Sequence, residues 1–99
     1  MIYIVCYDIK FNSVDDKKAA KRLHAVSKVL QNYGMRRQRS LFECILDKEG
    51  LSRLKKDIAS VIDRNQDSVR IYPMCEKCLR KTIVQGVGEI VQVKEYEIL

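Results

Sequence analysis

Six consecutive apolar or aromatic residues, Ile2-Tyr3-Ile4-Val5-Cys6-Tyr7, closed by Asp8, constrain the fold of this chain more than any other stretch. The run is short and rich in β-branched and aromatic residues, so it reads as a strand rather than a helix. Side chains alternate across a strand, which puts Ile2, Ile4 and Cys6 on one face and Tyr3, Val5 and Tyr7 on the other. Both faces are apolar and both call for cover, as in a central strand. Asp8 then falls at the strand's C-terminal end. A carboxylate at the mouth of a buried strand is costly unless a metal ion or an arginine pairs with it.

The remaining elements follow from periodicity. Ser13 to Tyr33 carries Ala19, Ala20, Leu23, Val26, Ser27, Leu30 and Tyr33 at helical spacing. Ser13 with Asp16 is a capping-box pattern, and Gly34 a natural stop. Met35 to Asp47 predicts a short strand, a tight reversal near Arg39-Ser40 and a buried strand through Leu41-Phe42-Glu43-Cys44-Ile45-Leu46. Asp47 is placed to cap a second helix over Lys48 to Asp63, with Leu51, Leu54, Ile58, Val61 and Ile62 inward. Ser68 to Tyr72 reads as a strand ended by Pro73. The tail, residues 83–99, is β-prone but interrupted by Gly86 and Gly88.

Strand, helix, strand, strand, helix, strand is the split βαβ, ferredoxin-like plan, an α+β fold, here with an additional C-terminal β-strand. A chain of 99 residues makes one such domain, spanning 1–99. Right-handed crossovers make the first and third strands central and put both helices on one face of the sheet. The face carrying Tyr3, Val5 and Tyr7 is then left for a second subunit, and the surplus β segment, about Gly88 to Tyr96, is expected to help hide the sheet edge in a dimer.

Charge narrows the partners. The net charge is +6. Between Lys10 and Arg39 stand nine basic residues and two acidic ones, while the other two thirds of the chain are nearly balanced. A localised basic surface suits a polyanion, although a solvated lysine-rich helix face has the same composition. Lys17, Lys21 and Arg22 on the first helix, and Arg36, Arg37 and Arg39 in the hairpin, are the candidate nucleic-acid contacts. His24 lies beside the apolar stripe and is read as a surface residue. No apolar run approaches the ~20 residues of a membrane span, and the chain enters a strand at once, so a cytoplasmic protein with reduced thiols is expected.

The topology brings the end of the first strand, Asp8, beside the hairpin carrying Arg37, Gln38, Arg39 and Ser40. A carboxylate with water and phosphate oxygens suits Mg²⁺ or Mn²⁺, and arginines grip phosphate bidentately. One carboxylate is too few for a tight site, and a two-fold axis nearby would double it. A salt bridge from Asp8 to Arg37 or Arg39, with no chemistry, is the competing reading.

Tyr7-Asp8 ending the first strand, Tyr33-Gly34 closing a basic helix, and Gln38-Arg39-Ser40-Leu41-Phe42-Glu43 in that order resemble the CRISPR-associated protein two family over Met1 to about Met74. The resemblance implies a ferredoxin-like homodimer of spacer acquisition and a metal-dependent endonuclease acting on single-stranded RNA or duplex DNA. It also implies a bridge between copies of the CRISPR integrase. It makes Asp8 the catalytic residue and ligand of Mg²⁺ (or Mn²⁺), with Tyr7, Arg37, Ser40 and Phe42 shaping the site. Lys10 and Phe11 stand where many relatives have small or acidic loop residues. A purely structural DNA-binding adaptor and a toxin-type ribonuclease of similar fold are the alternatives.

Cys75-Glu76-Lys77-Cys78 is a single CxxC pair. It is half a zinc site that a dimer could complete, a redox pair, or two structural thiols. Cys6 and Cys44 lie on core strands and should behave as small buried apolar groups.

Overall fold

The computed structural model describes residues 1–87. Four strands, β1 (Ile2–Asp8), β2 (Gly34–Gln38), β3 (Leu41–Ile45) and β4 (Ser68–Met74), form one sheet in the order β2-β3-β1-β4. All three pairings are antiparallel. Helix α1 (Lys17–Gln31) joins β1 to β2, and α2 (Lys48–Ala59) joins β3 to β4. This is the ferredoxin-like βαββαβ plan, with the two most apolar strands at its centre. A five-residue helix, α3 (Glu76–Arg80), follows β4 where the sequence had given no helical signal.

The two helices lie on the face that carries Val5 and Tyr7. These side chains join Phe42 and Cys44 from β3, Ala19, Val26 and Leu30 from α1, and Leu54 and Ile58 from α2 in one buried cluster, with Tyr3 packed against it. The expectation that Tyr3, Val5 and Tyr7 form the uncovered face is therefore reversed. Alternation alone does not say which of two apolar faces the helices take. The open face carries Ile4, Cys6, Leu41 and Glu43, all half-buried, flanked by exposed Met35, Ile45 and Tyr72. Leu79 of α3 is buried, and a groove of about 660 Å³ runs between Ile4, Leu41, Met74, Leu79 and Ile83.

Local chemistry sets the element ends. Asp16, not Ser13, caps α1, its Oδ1 accepting the Ala19 N–H at 3.0 Å. Its other oxygen takes the Asn12 N–H at 3.1 Å, and these backbone hydrogen bonds hold its carboxyl below the ordinary range. Asp47 caps α2 through the Gly50 N–H at 2.7 Å. Ala20 and Leu23 are exposed, and the half-buried stem of Arg22 takes a place on the inward side of α1. Gly34 is not a helix stop, since α1 ends at Gln31. It opens β2, and a Cβ there would meet the Glu43 carbonyl oxygen at 2.1 Å and Cys44 Sγ at 2.6 Å. Glycine is required because the two strands approach too closely for a side chain.

Pro73 does not end β4, which continues to Met74. β4 is an edge strand, where a missing N–H is tolerated. Over residues 83–87 there is no strand, and the rest of the expected C-terminal extension, including Gly88 to Tyr96, lies outside the described residues.

Candidate metal and nucleic-acid site

Asp8 is the last residue of β1, opposite Ser68 in β4, and it is exposed. Among the described residues its carboxylate makes no hydrogen bond and no ion pair. The neighbouring Tyr7 is fixed on both sides. Its backbone N–H donates to the Ser40 carbonyl at 3.1 Å, and its buried hydroxyl donates to the Arg39 carbonyl at 2.9 Å. The end of the central strand is thus tied to the β2–β3 turn, and Asp8 follows it directly, its oxygens without a partner among the described residues.

The hairpin arginines divide by partner. Arg36 donates to Ser27 Oγ and, at 3.0 Å, to the Arg39 carbonyl, with its guanidinium carbon 5.1 Å from the centre of the Phe42 ring. It braces the turn against α1 and the core. A β-bulge between Arg36 and Gln38 inserts Arg37 as an extra residue, and Arg37 Nε donates to Glu43 Oε2 at 3.1 Å on the open face. The competing reading, a salt bridge from Asp8 to Arg37 or Arg39, finds no such contact among the described residues. Arg39 and Ser40 are exposed in the turn itself. Phe42 is fully buried and shapes the site from beneath, its ring 6.3 Å from that of Tyr7.

Lys17 and Lys21 are exposed on α1. Arg22 is occupied. Its Nε donates to Asp67 Oδ2 at 2.9 Å, and Nη2 reaches the Lys10 carbonyl at 3.2 Å. Asp67 also accepts the N–H groups of Asp63 at 2.8 Å and Lys10 at 3.1 Å. Its side chain is 0% exposed. Burial pushes the carboxyl up, but the Asp63 N–H, the Arg22 guanidinium and the Lys10 N–H outweigh that and hold it below the ordinary value. The same pair raises the Arg22 guanidinium. Arg22 therefore clamps the loop that leaves Asp8 and is not a free phosphate contact. Asp67 and Glu43 are the partners of these arginines that sequence reasoning missed. Acidic residues 45 and 6 positions from their arginines carry no local signal.

The donor set can be tested for a metal. No group of three or more His, Cys, Asp or Glu side chains that could hold an ion occurs among the described residues. Asp8 offers hard oxygen atoms with no competing partner among the described residues, the right chemistry for Mg²⁺ or Mn²⁺. The chemistry fits and the number does not, since one carboxylate is too few for a tight site. No helix among the described residues is long and apolar enough to cross a membrane.

The family model described as CRISPR associated protein Cas2 matches residues 1–82. The CRISPR-associated endonuclease Cas2 of Halalkalibacterium halodurans is 41% identical over 88 residues, spanning 89% of this chain and 86% of that one. The CRISPR-associated endoribonuclease Cas2 3 of Chloroflexus aurantiacus is 36% identical over 88 residues, again 89% and 86%. Among solved structures, Streptococcus pyogenes Cas2 at pH 6.5 superposes with a TM-score of 0.76 at 30% identity, covering 87% of this chain and 100% of that one. A hypothetical protein from Thermus thermophilus superposes with a TM-score of 0.68 at 36% identity, covering 89% and 93%.

Proposed function

The chain belongs to the Cas2 family of CRISPR-associated proteins, and on that premise we propose that it is a metal-dependent endonuclease whose site is completed by two copies of Asp8 in a homodimer. The observation that carries this reading is the exposed Asp8 carboxylate, without a partner among the described residues, held at the end of a central strand by the Tyr7–Arg39 and Tyr7–Ser40 hydrogen bonds. A structural carboxylate would be expected to use the nearby guanidiniums, yet Arg37 is drawn to Glu43. Two Asp8 side chains would hold one Mg²⁺ or Mn²⁺ ion, which when bound supplies charge neutralisation at the scissile phosphate and acidifies a water. The chain's own residues do the positioning. Tyr7 fixes the strand end, Arg36 braces the turn over Phe42, and Arg39 and Ser40 lie exposed where a phosphate backbone would pass.

The dimer forms through the open face, where Ile4, Leu41, Ile45 and Tyr72 form an apolar surface on the side of the sheet away from α1 and α2. In this reading the protein works in spacer acquisition in the cytoplasm, with single-stranded RNA or duplex DNA as substrate. The same dimer bridges copies of the CRISPR integrase. The exposed lysines of α1, Lys17 and Lys21, favour the second role, because a basic face that binds duplex by charge serves a bridge even without cleavage.

Cleavage of single-stranded RNA and of duplex DNA by wild type and Asp8→Asn, in Mg²⁺ and in EDTA, tests the proposal. Cleavage should need both the metal and the carboxylate. Asp8→Asn should dimerise at least as tightly, since it removes like charges across the axis, and should still bind duplex and support integration. Wild-type cleavage rates in EDTA or in Asp8→Asn would place the chemistry elsewhere.

A further inference from the structure

The CxxC pair lies at the start of α3, away from Asp8, and nothing in the nuclease reading uses it. Cys75 is the N-cap of the helix, its Sγ accepting the Cys78 N–H at 3.3 Å. The two sulfurs are 2.9 Å apart, and both residues are exposed. We propose that Cys75 and Cys78 are a redox-active dithiol, closed to an intrachain disulfide by exchange with a small-molecule disulfide and reopened by a small-molecule thiol.

The chemistry follows from the asymmetry of the pair. The Cys78 thiol and backbone N–H both hydrogen-bond Cys75, and they lower the pKa of its thiol. The neighbouring Cys75 raises that of Cys78. The more acidic, exposed sulfur is the attacking nucleophile. Cys75 thiolate displaces one sulfur of the small disulfide, releasing one thiolate and leaving a mixed disulfide. Cys78 then loses its proton to solvent and attacks Cys75 Sγ, breaking the mixed disulfide and releasing the second thiolate. Two protein thiols are oxidised and one small disulfide is reduced to two thiols. The remaining cysteines are poor competitors. Burial pushes the Cys44 thiol up to about 11. Cys6 and Cys44 lie on opposite faces of the sheet, opposite Leu41 and Tyr3 respectively, and cannot bridge. No third metal ligand joins the pair among the described residues.

Closing the disulfide fixes the first turn of α3. Leu79, 4% exposed, sits one residue beyond it in the groove against Ile4 and Met74. The oxidation state therefore sets how firmly the segment after β4 is held over the open face of the sheet.

The test equilibrates the full chain with reduced and oxidised glutathione, quenches in acid, alkylates, and maps the cysteines by mass spectrometry. Wild type should lose two hydrogens at Cys75–Cys78, whereas C75S and C78S should stop at the glutathione adduct. At neutral pH, Cys75 in C78S should alkylate at least about tenfold faster than Cys44. Tryptic cleavage after Lys77 and Arg80 should be several-fold slower in the oxidised chain. Wild type that stops at the mixed disulfide, or that leaves both thiols free in oxidised glutathione, overturns the proposal. So does purified protein retaining one zinc per two chains through these sulfurs. Equal trypsin rates in the two states overturn the link to α3.

Discussion

Asp67→Ala should destabilise the domain by about 3 kcal/mol. The carboxylate is 0% exposed and accepts from Arg22 Nε at 2.9 Å and from the N–H groups of Asp63 and Lys10 at 2.8 and 3.1 Å. Hydrogen bonds to a charged group contribute about 1.5–3 kcal/mol each, and losing one partner of a buried pair costs about 3–5 kcal/mol. Arg22 is 17% exposed, so water rescues part of its charge and the lower end applies. With a urea slope of about 1.5 kcal/mol per molar for a domain of this size, the midpoint should fall by roughly 2 M. Arg22→Ala and the double variant complete the cycle, and the two losses should not add. Acid adds a second signature. The folded-state pKa of Asp67 lies below its unfolded value, so its contribution is present above about pH 4 and is lost as pH falls through the folded pKa. Asp67→Asn should lack that component of the acid loss. A midpoint shift under about 0.5 M for Asp67→Ala, or additive losses in the cycle, would refute the view that this pair clamps the loop after Asp8.

Tyr7→Phe removes only the hydroxyl bond to the Arg39 carbonyl and should cost about 1 kcal/mol by urea denaturation. Its cleavage rate should fall more than that stability loss accounts for at temperatures where both proteins are folded; an unchanged rate would remove Tyr7 from the site. Gly34→Ala places a methyl group against the Glu43 backbone and should destabilise by at least about 3 kcal/mol, at or beyond the upper end of ordinary overpacking, because backbone cannot rotate away. A thermal midpoint within a few degrees of wild type would mean that the hairpin yields more easily than its geometry suggests. If each subunit of the dimer neutralises about three to five phosphates, log affinity for duplex against log salt should slope roughly −5 to −9. Lys17→Glu with Lys21→Glu should flatten it, and binding indifferent to salt would contradict a charge-driven interface.

The residues differ in how plainly they announced their places. β1, the Arg39-Ser40 reversal and the Asp47 cap rest on local chemistry, and each is found where the sequence puts it. What resisted reading was non-local or symmetric. Ile2-Ile4-Cys6 and Tyr3-Val5-Tyr7 are equally apolar, so only the packed helices decide between them. Ser13 and Asp16 are both good caps three residues apart, and Asn12 tips the choice by donating to Asp16. Arg22 looked like one more cation on a basic helix because its partner lies across the fold in the loop before β4. The place of Asp8 at the end of the central strand was legible from the apolar run before it. That no ion pair competes for Asp8 among the described residues became visible only once Glu43 was seen to hold Arg37.

The proline in β4 bears on what this sheet will accept at its rim. Pro73 pairs with Tyr3, Ile71 with Val5 and Val69 with Tyr7. Alternate residues of an antiparallel edge strand turn their backbone groups outward. Pro73 has no N–H to give β1, so it belongs to the outward-facing set, and Val69 and Ile71 belong to it with Pro73. The rim therefore offers two amide donors and then a gap. A foreign strand adding there can zip along the Ser68 end but loses its ladder before Met74. Stacking of chains into an endless ribbon is blocked at the same point, a safeguard against fibrillation built from one imino acid.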